Sequence, residues 1–424
     1  ASGRWLVDTE RGDRLSAQFC IMATGCLSAA RVPDYKGIDG FRGDWYHTGQ
    51  WPHEGVDFTG KRVAVIGTGS SGIQSIPIIA QQASQLYVFQ RTPNFSLPAF
   101  NDRLNEERIR EYRQNFQELK AAARETAAGL LVNPNEQSVL EVPEEERRRE
   151  FENRWEQGGF HLLESYIDLM VTKDANDKAA EFIRNKIREV VKDPEVAEML
   201  CPRDHPLGTK RICIDTNYYE TFNRDNVTLV NIREHPIEEI TPAGVRTTER
   251  EYEVDAIVFA TGFDAMTGAL LAIDIRGCGG RALRDEWAAG PRTYLGLSVA
   301  GFPNLFTITG PGSPSVLSNM IISIEQHVDW ISDCMEHMRE RQEGTIEATP
   351  EAQDAWVEHV NAVADLTLFP QANSWYIGAN IPGKPRVFMP YVGGVGAYAQ
   401  KCREVAANGY EGFALSPARV SAGA

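Results

Sequence analysis

In 424 residues the sequence has no run of about 18 consecutive apolar residues, the length a membrane-spanning helix needs. It also lacks any Cys-x-x-Cys pair. Its seven cysteines (Cys20, Cys26, Cys201, Cys213, Cys278, Cys334 and Cys402) follow neither a disulfide-framework nor a metal-ligand spacing. That argues against a stapled secreted scaffold and against a cysteine-held metal; reduced thiols in a cytoplasmic protein with no metal site are the expectation. Positive charge is scarce as well, with 43 Lys and Arg against 59 Asp and Glu and a net charge of -16. A field of that sign repels both nucleic acid and anionic membrane, so neither is expected as a partner.

What is present is ordinary globular composition, 42% hydrophobic and 24% charged, in a chain longer than one core normally supports. It opens on the strand-like Arg4-Trp5-Leu6-Val7-Asp8-Thr9, turns at Arg11-Gly12-Asp13 and continues into Phe19-Cys20-Ile21-Met22-Ala23-Thr24-Gly25, as if entered in mid-domain. A tract rich in Pro, Gly and aromatic residues over 32–59 reads as a structured connection. Lys61-Arg62-Val63-Ala64-Val65-Ile66 has the continuous apolar character of a buried parallel strand. A helix over about 72–83 and a strand at Gln85-Leu86-Tyr87-Val88-Phe89-Gln90 complete a βαβ unit. From about 100 to 205 the composition shifts to Arg, Glu, Gln, Ala and Leu, the signature of an inserted set of helices with solvated faces. Strands resume at Val227-Thr228-Leu229-Val230 and Ala256-Ile257-Val258-Phe259-Ala260, with a hairpin around Gly244 and a helix over 316–340.

Between the first strand and the helix of the βαβ unit stands Gly67-Thr68-Gly69-Ser70-Ser71-Gly72, followed by Ile73 and Gln74. This is G-x-G-x-x-G in the context that gives it meaning: a tight turn at Gly67, room for a pyrophosphate at Gly69 and close helix–strand packing at Gly72. The helix N-terminus adds unpaired N–H groups and partial positive charge. A site for NAD or FAD usually ends the second strand with Asp or Glu for the ribose 2′-hydroxyl. Here it ends Gln90-Arg91-Thr92, and Arg91 with the Thr92 hydroxyl suits a 2′-phosphate, so NADP(H) is the expected nucleotide. Ala23-Thr24-Gly25 and Ala260-Thr261-Gly262 each close an apolar strand with small residues, which suggests a flavoprotein with two dinucleotides and places Thr261 and Gly262 near one of them.

Residues 41–52 read Phe-Arg-Gly-Asp-Trp-Tyr-His-Thr-Gly-Gln-Trp-Pro, with Phe41, Gly43, His47, Trp51 and Pro52 at every fixed position of F-x-G-x-x-x-H-x-x-x-W-P. With this fingerprint, and with Pro206-Leu207-Gly208-Thr209-Lys210-Arg211, Gly310-Pro311-Gly312-Ser313-Pro314-Ser315 and Ser374-Trp375-Tyr376, the chain resembles type I Baeyer-Villiger monooxygenases over nearly its whole length. The resemblance implies an α/β fold of two Rossmann-like domains. Residues 25–263 would bind NADP and carry the helical insertion at about 100–205. Residues 1–24 and 264–424 would belong to an FAD domain whose first half is not in this sequence. It implies FAD and NADP(H) as cofactors, with a small-molecule ketone and O2 as reactants. The ketone, aryl or otherwise bulky and hydrophobic, becomes an ester or lactone through a C4a-peroxyflavin.

By the same resemblance Arg211 is the catalytic residue, a cation that cannot lose its proton near pH 7, and Lys210 joins Arg91 and Thr92 at the 2′-phosphate. His47 couples the two domains, Trp375 packs over the nucleotide as a lid, and Pro314, Ser315, Val316, Leu317 and Met389 line the ketone pocket. Two alternatives accompany this reading: a flavin monooxygenase acting on sulfur or nitrogen, and a non-catalytic NADP-binding fragment. A second G-x-G-x-x-G is lacking from the sequence, so the polypeptide by itself is expected to hold FAD weakly.

Overall fold

The computed structural model describes residues 3–101 and 103–418. Its organising element is a five-stranded, wholly parallel sheet of β1 (Asp44–His47), β2 (Arg62–Ile66), β3 (Gln85–Gln90), β4 (Val227–Asn231) and β5 (Ala256–Phe259) in the order β1-β5-β2-β3-β4. Val63, Ala64 and Val65 on β2 and Ala256 to Phe259 on β5 are buried on both faces, which accounts for their unbroken apolar runs. The helix α1 (Ser70–Gln82) covers one face with Ile73, Ile76 and Ile79. A three-stranded antiparallel sheet over 237–253, including the hairpin expected at Gly244, covers the other through Ile240, Val245 and Tyr252.

One strand differs from expectation. Asp44–His47 lies within the tract read as a connection, yet it pairs along its whole length with β5. Only His47 of its four residues is buried, so the segment carries no apolar run for a reader to find. It is the edge of the sheet, where pairing on one side suffices.

The insertion is helical as expected, with helices Glu106–Arg124, Glu144–Gln157, Lys173–Val190 and Pro194–Leu200. The last three bury Phe151, Ile183, Ile187 and Leu200 in the same core as α1. A short parallel pair, Ser96–Pro98 with Cys213–Asp215, closes the base of the insertion and returns the chain beside the glycine turn.

The C-terminal region is built differently. Strand Cys20–Met22 pairs in parallel with Leu305–Thr307, and helices Met320–Glu340, Pro350–Asp365 and Val395–Ala407 pack around Trp330, Trp356 and Tyr398. The helix expected over 316–340 starts at Met320, because Ser315 is left-handed (φ 41°) and Asn319 accepts the N–H of Ile321 as a cap. Buried polar side chains fasten this region. Asn304 donates to the carbonyls of Gln18 and Gly344 and accepts the N–H of Ile346 at 2.8 Å.

Candidate active site

The glycine turn follows β2 at the centre of the sheet. Gly67 has φ +113°, and a Cβ there would lie 2.4 Å from the backbone oxygen of Ala260 at the end of β5. The turn and the backbone at Ala260 are therefore pressed together, and position 67 has no room for a side chain. Nothing lies within 4 Å of the Cβ position of Gly69. Gly69 is also the N-cap of α1 and offers no side-chain cap, so the first-turn N–H groups face that open space. The site fits a pyrophosphate: a cradle of backbone donors over a glycine with room above it.

Around the turn, several predicted residues are engaged within the protein. Thr68 donates to the carbonyl of Thr92 at 3.0 Å, Ser70 lies 3.4 Å from the Cys213 thiol, and Gln74 donates to the carbonyl of Ile214 at 3.0 Å. These bonds fix the returning chain, and with it Lys210 and Arg211, against the turn. Thr261 donates to the carbonyl of Arg31 at 2.6 Å, and Gly262 accepts the N–H of Arg31. Ser71 stands exposed at the helix start.

At the C-terminal edge of β3 and β4 lies a cluster of cations. Arg91 is exposed. Lys210 is half-buried, and burial pushes its ammonium below the ordinary lysine value, with Arg91 and Arg233 adding to the effect and Asp204 opposing it. Arg233 donates to the Thr92 hydroxyl at 3.2 Å and to Asp204 at 2.6 Å. His205 holds the other Asp204 oxygen at 2.7 Å, and these two partners keep the carboxyl well below the usual carboxylate range. The sequence reading missed Arg233, Asp204 and His205. One signal was available: Asn231 pairs with Gln90 across the sheet, so Arg233 leaves β4 at the edge where Arg91 leaves β3.

Arg211 stands at the junction between the sheet domain and the C-terminal region. Its carbonyl accepts from Asn94 at 3.1 Å, while its guanidinium donates to the carbonyl of Val316 at 3.1 Å and lies 5.1 Å over the ring of Phe160. Tyr376 is beside it. Burial drives that phenol up to about 12, although the guanidinium pulls the other way. Among the described residues Arg211 forms no ion pair with a carboxylate.

The fingerprint residues gather at the free edge of the sheet. A Cβ at Gly43 would meet the backbone oxygen of Asp255 at 2.3 Å and the Phe41 ring at 2.7 Å. Trp51 packs on Tyr46 and Phe58, and the carbonyl of Pro52 accepts the N–H of Gly55. His47 is 1% exposed, accepts the Gly49 N–H on Nδ1 at 3.0 Å and sets its ring edge-on to Phe263 at 5.9 Å. Burial lowers its pKa more than the facing carbonyls of Arg31 and Gly262 raise it. The ring thus joins β1 to the 262–263 crossing through packing and one backbone hydrogen bond.

Comparison with known proteins bears on these observations together. Residues 1–104 match the family model of flavin-binding monooxygenase-like proteins. The chain is 42% identical to a Baeyer-Villiger monooxygenase of Pseudooceanicola batsensis, over 96% of this chain and 75% of that protein. The structure of an oxidized steroid monooxygenase bound to NADP superposes with a TM-score of 0.92 at 52% identity, covering 98% of this chain and 78% of that one. The chain belongs to the Baeyer-Villiger monooxygenases. The chain is also similar to a protein named for other chemistry: the phenazine N-monooxygenase PhzNO1 of Lysobacter antibioticus is 41% identical over 97% of this chain and 76% of its own.

In this monooxygenase three residues expected around the ketone pack with Trp375, the residue expected over the nucleotide. Val316, Leu317, Met389 and Trp375 share one apolar cluster with Phe369, Tyr376 and Phe388, and the Val316 carbonyl is the one that holds Arg211. Pro314 is buried beside them, and Ser315 is wholly buried with its hydroxyl on the carbonyl of Thr309 at 3.1 Å. Through that hydroxyl Ser315 fastens the loop that carries Val316 and Leu317. Trp375 is half-buried in a short turn, with its ring 4.3 Å from that of Tyr376. Among the described residues no group of His, Cys, Asp and Glu could hold a metal, and no helix is long and apolar enough to cross a membrane.

Proposed function

We propose that this enzyme uses NADPH, FAD and O2 to convert a bulky hydrophobic ketone into an ester or lactone, with Arg211 as its catalytic cation. The observation that carries the proposal is the setting of Arg211: a guanidinium anchored by one nitrogen to the Val316 carbonyl, laid over the Phe160 ring and set against an apolar cluster, with no carboxylate partner among the described residues. One atom of O2 enters the ketone and the other leaves as water while NADPH is oxidised, so atoms and electrons balance. The bound flavin supplies the activation of oxygen.

What the chain contributes is placement and charge. The glycine turn with Arg91, Thr92 and Lys210 holds the nucleotide. The guanidinium of Arg211 stabilises negative charge as it develops on the attacked carbonyl oxygen, which a fixed cation in a dry site does far better than water. Pro314, Val316, Leu317 and Met389 exclude water and favour an apolar ketone, while Trp375 covers the nucleotide side and His47 passes movement between the domains. We read residues 25–263 as the NADP domain and residues 1–24 with 264–424 as FAD domain; the pairing of Cys20–Met22 with Leu305–Thr307 supports that division.

The relative that oxidises a phenazine nitrogen favours a second reading, oxygenation of nitrogen or sulfur. Incubating the enzyme with a ketone and a thioether separates the two. Arg211→Ala is expected to lower ester formation by about a hundredfold or more while NADPH oxidation continues. Ester formation at the wild-type rate in that variant overturns the role given to Arg211.

A further inference from the structure

The cation cluster beside Thr92 contains an internal anion. Asp204 divides its carboxylate between two partners, Oδ1 to His205 at 2.7 Å and Oδ2 to Arg233 at 2.6 Å. The two ends are unequal. The His205 side chain is 1% exposed, whereas that of Arg233 is 54% exposed. The first contact is thus part of the packed interior and the second is a surface ion pair, a kind that contributes little and is readily exchanged. Arg233 also donates to the Thr92 hydroxyl, the group expected at the nucleotide. Lys210 sits within electrostatic reach of Arg91, Arg233 and Asp204 at once.

We infer that Arg233 is a further specificity-determining residue for the 2′-phosphorylated nucleotide, and that Asp204, fixed by His205, is a placeholder anion that pairs with Arg233 until the 2′-phosphate displaces it. This rests on the assignment of Arg91, Thr92 and Lys210 to the 2′-phosphate. A phosphate offers two charges and three acceptor oxygens where Asp204 offers one free oxygen, so a guanidinium gains by changing partner. His205 keeps Asp204 in place after the exchange. Because Thr92 accepts the Arg233 N–H, its own hydroxyl proton remains available to the phosphate.

The test is calorimetric titration of the full protein with NADP+ and NAD+, which reads binding without turnover. Arg233→Gln is expected to raise the Kd for NADP+ about tenfold and to leave that for NAD+ unchanged. Asp204→Asn, which keeps an acceptor but removes the competing charge, is expected to tighten NADP+ about threefold with no effect on NAD+. Equal changes toward both nucleotides, or none, in Arg233→Gln overturn the inference, as does weaker NADP+ binding in Asp204→Asn. If wild-type protein binds NAD+ as tightly as NADP+, the 2′-phosphate assignment itself falls and takes the inference with it. If wild type prefers NADP+ and Arg91→Ala abolishes the preference while Arg233→Gln does not, only the inference falls.

Discussion

The parallel sheet and the C-terminal region solve the same problem, holding a loop still at the edge of a binding site, by opposite means. In the sheet the loops are strand ends. Gly67 follows β2 and Ala260 follows β5, and the backbone register of five parallel strands fixes both. In the C-terminal region Thr309 and Ser315 adopt left-handed backbone (φ 52° and 41°), and side chains hold them there. His327 accepts the Thr309 N–H on Nδ1 at 2.9 Å and meets the Tyr398 hydroxyl at 2.9 Å with Nε2, and that hydroxyl donates to the carbonyl of Leu295 at 2.6 Å. One site is precise because its backbone has no alternative, the other because buried polar groups have no other partner.

The strongest test of the contrast is a substitution that attacks the backbone itself. Gly67→Ala places a Cβ 2.4 Å from a backbone oxygen at a φ of +113°, and neither the sheet nor the turn has slack to relieve the contact. A loss of about 4 kcal/mol or more is expected, measured by chemical denaturation. A loss below about 1 kcal/mol would mean that the strand ends are not rigid and would remove the basis for the comparison.

How much of each region the sequence revealed follows from the same difference. The glycine spacing and the apolar runs of β2 and β5 are local patterns, so the strand–turn–helix unit and the place of its glycine turn were legible. The strand Asp44–His47 was not, because an edge strand with one buried residue has no apolar signature. Arg233 and Asp204 escaped because their meeting depends on where β4 and the insertion end in space, 29 residues apart in the chain. His327 and Asn304 lie within helical or turn sequence that gives no hint of burial. The roles expected of Arg211 and Val316 came from family likeness, while their contact depends on a loop shaped by interactions no periodicity encodes.

A test by pH addresses the C-terminal side. His327 is completely enclosed, and burial alone pushes its pKa from 6.5 down to about 3. The folded state therefore keeps the ring neutral while the unfolded chain takes up a proton below pH 6.5. The stabilising contribution is whole above that value and is lost as pH falls toward 3. Between pH 7 and pH 5 the loss amounts to about 2 kcal/mol. His327→Gln, which retains a donor and an acceptor, is expected to remove this part of the acid dependence. Denaturant midpoints for wild type and variant that run parallel from pH 7 to pH 5 would show that the loop does not depend on a neutral histidine.

The smallest expected effect separates structure from binding within the sheet itself. Gly69 lies two residues from Gly67 in the same motif, yet its Cβ position is open for 4 Å and its backbone (φ -84°) is one any residue adopts. Packing therefore does not require glycine at this position, whereas the pyrophosphate proposed to pass close to the backbone would. Gly69→Ala should leave stability within about 0.5 kcal/mol of wild type, because an exposed methyl group at a helix start strains nothing. The same methyl group occupies the space above the N–H cradle, and the Kd for NADP+ should rise about tenfold, equivalent to about 1.4 kcal/mol. Unlike Arg233→Gln, this variant should weaken NAD+ by the same factor, since the pyrophosphate is common to both nucleotides. Unchanged binding of both would place the pyrophosphate elsewhere, and Gly67 would then be left as a turn that the sheet needs for folding alone.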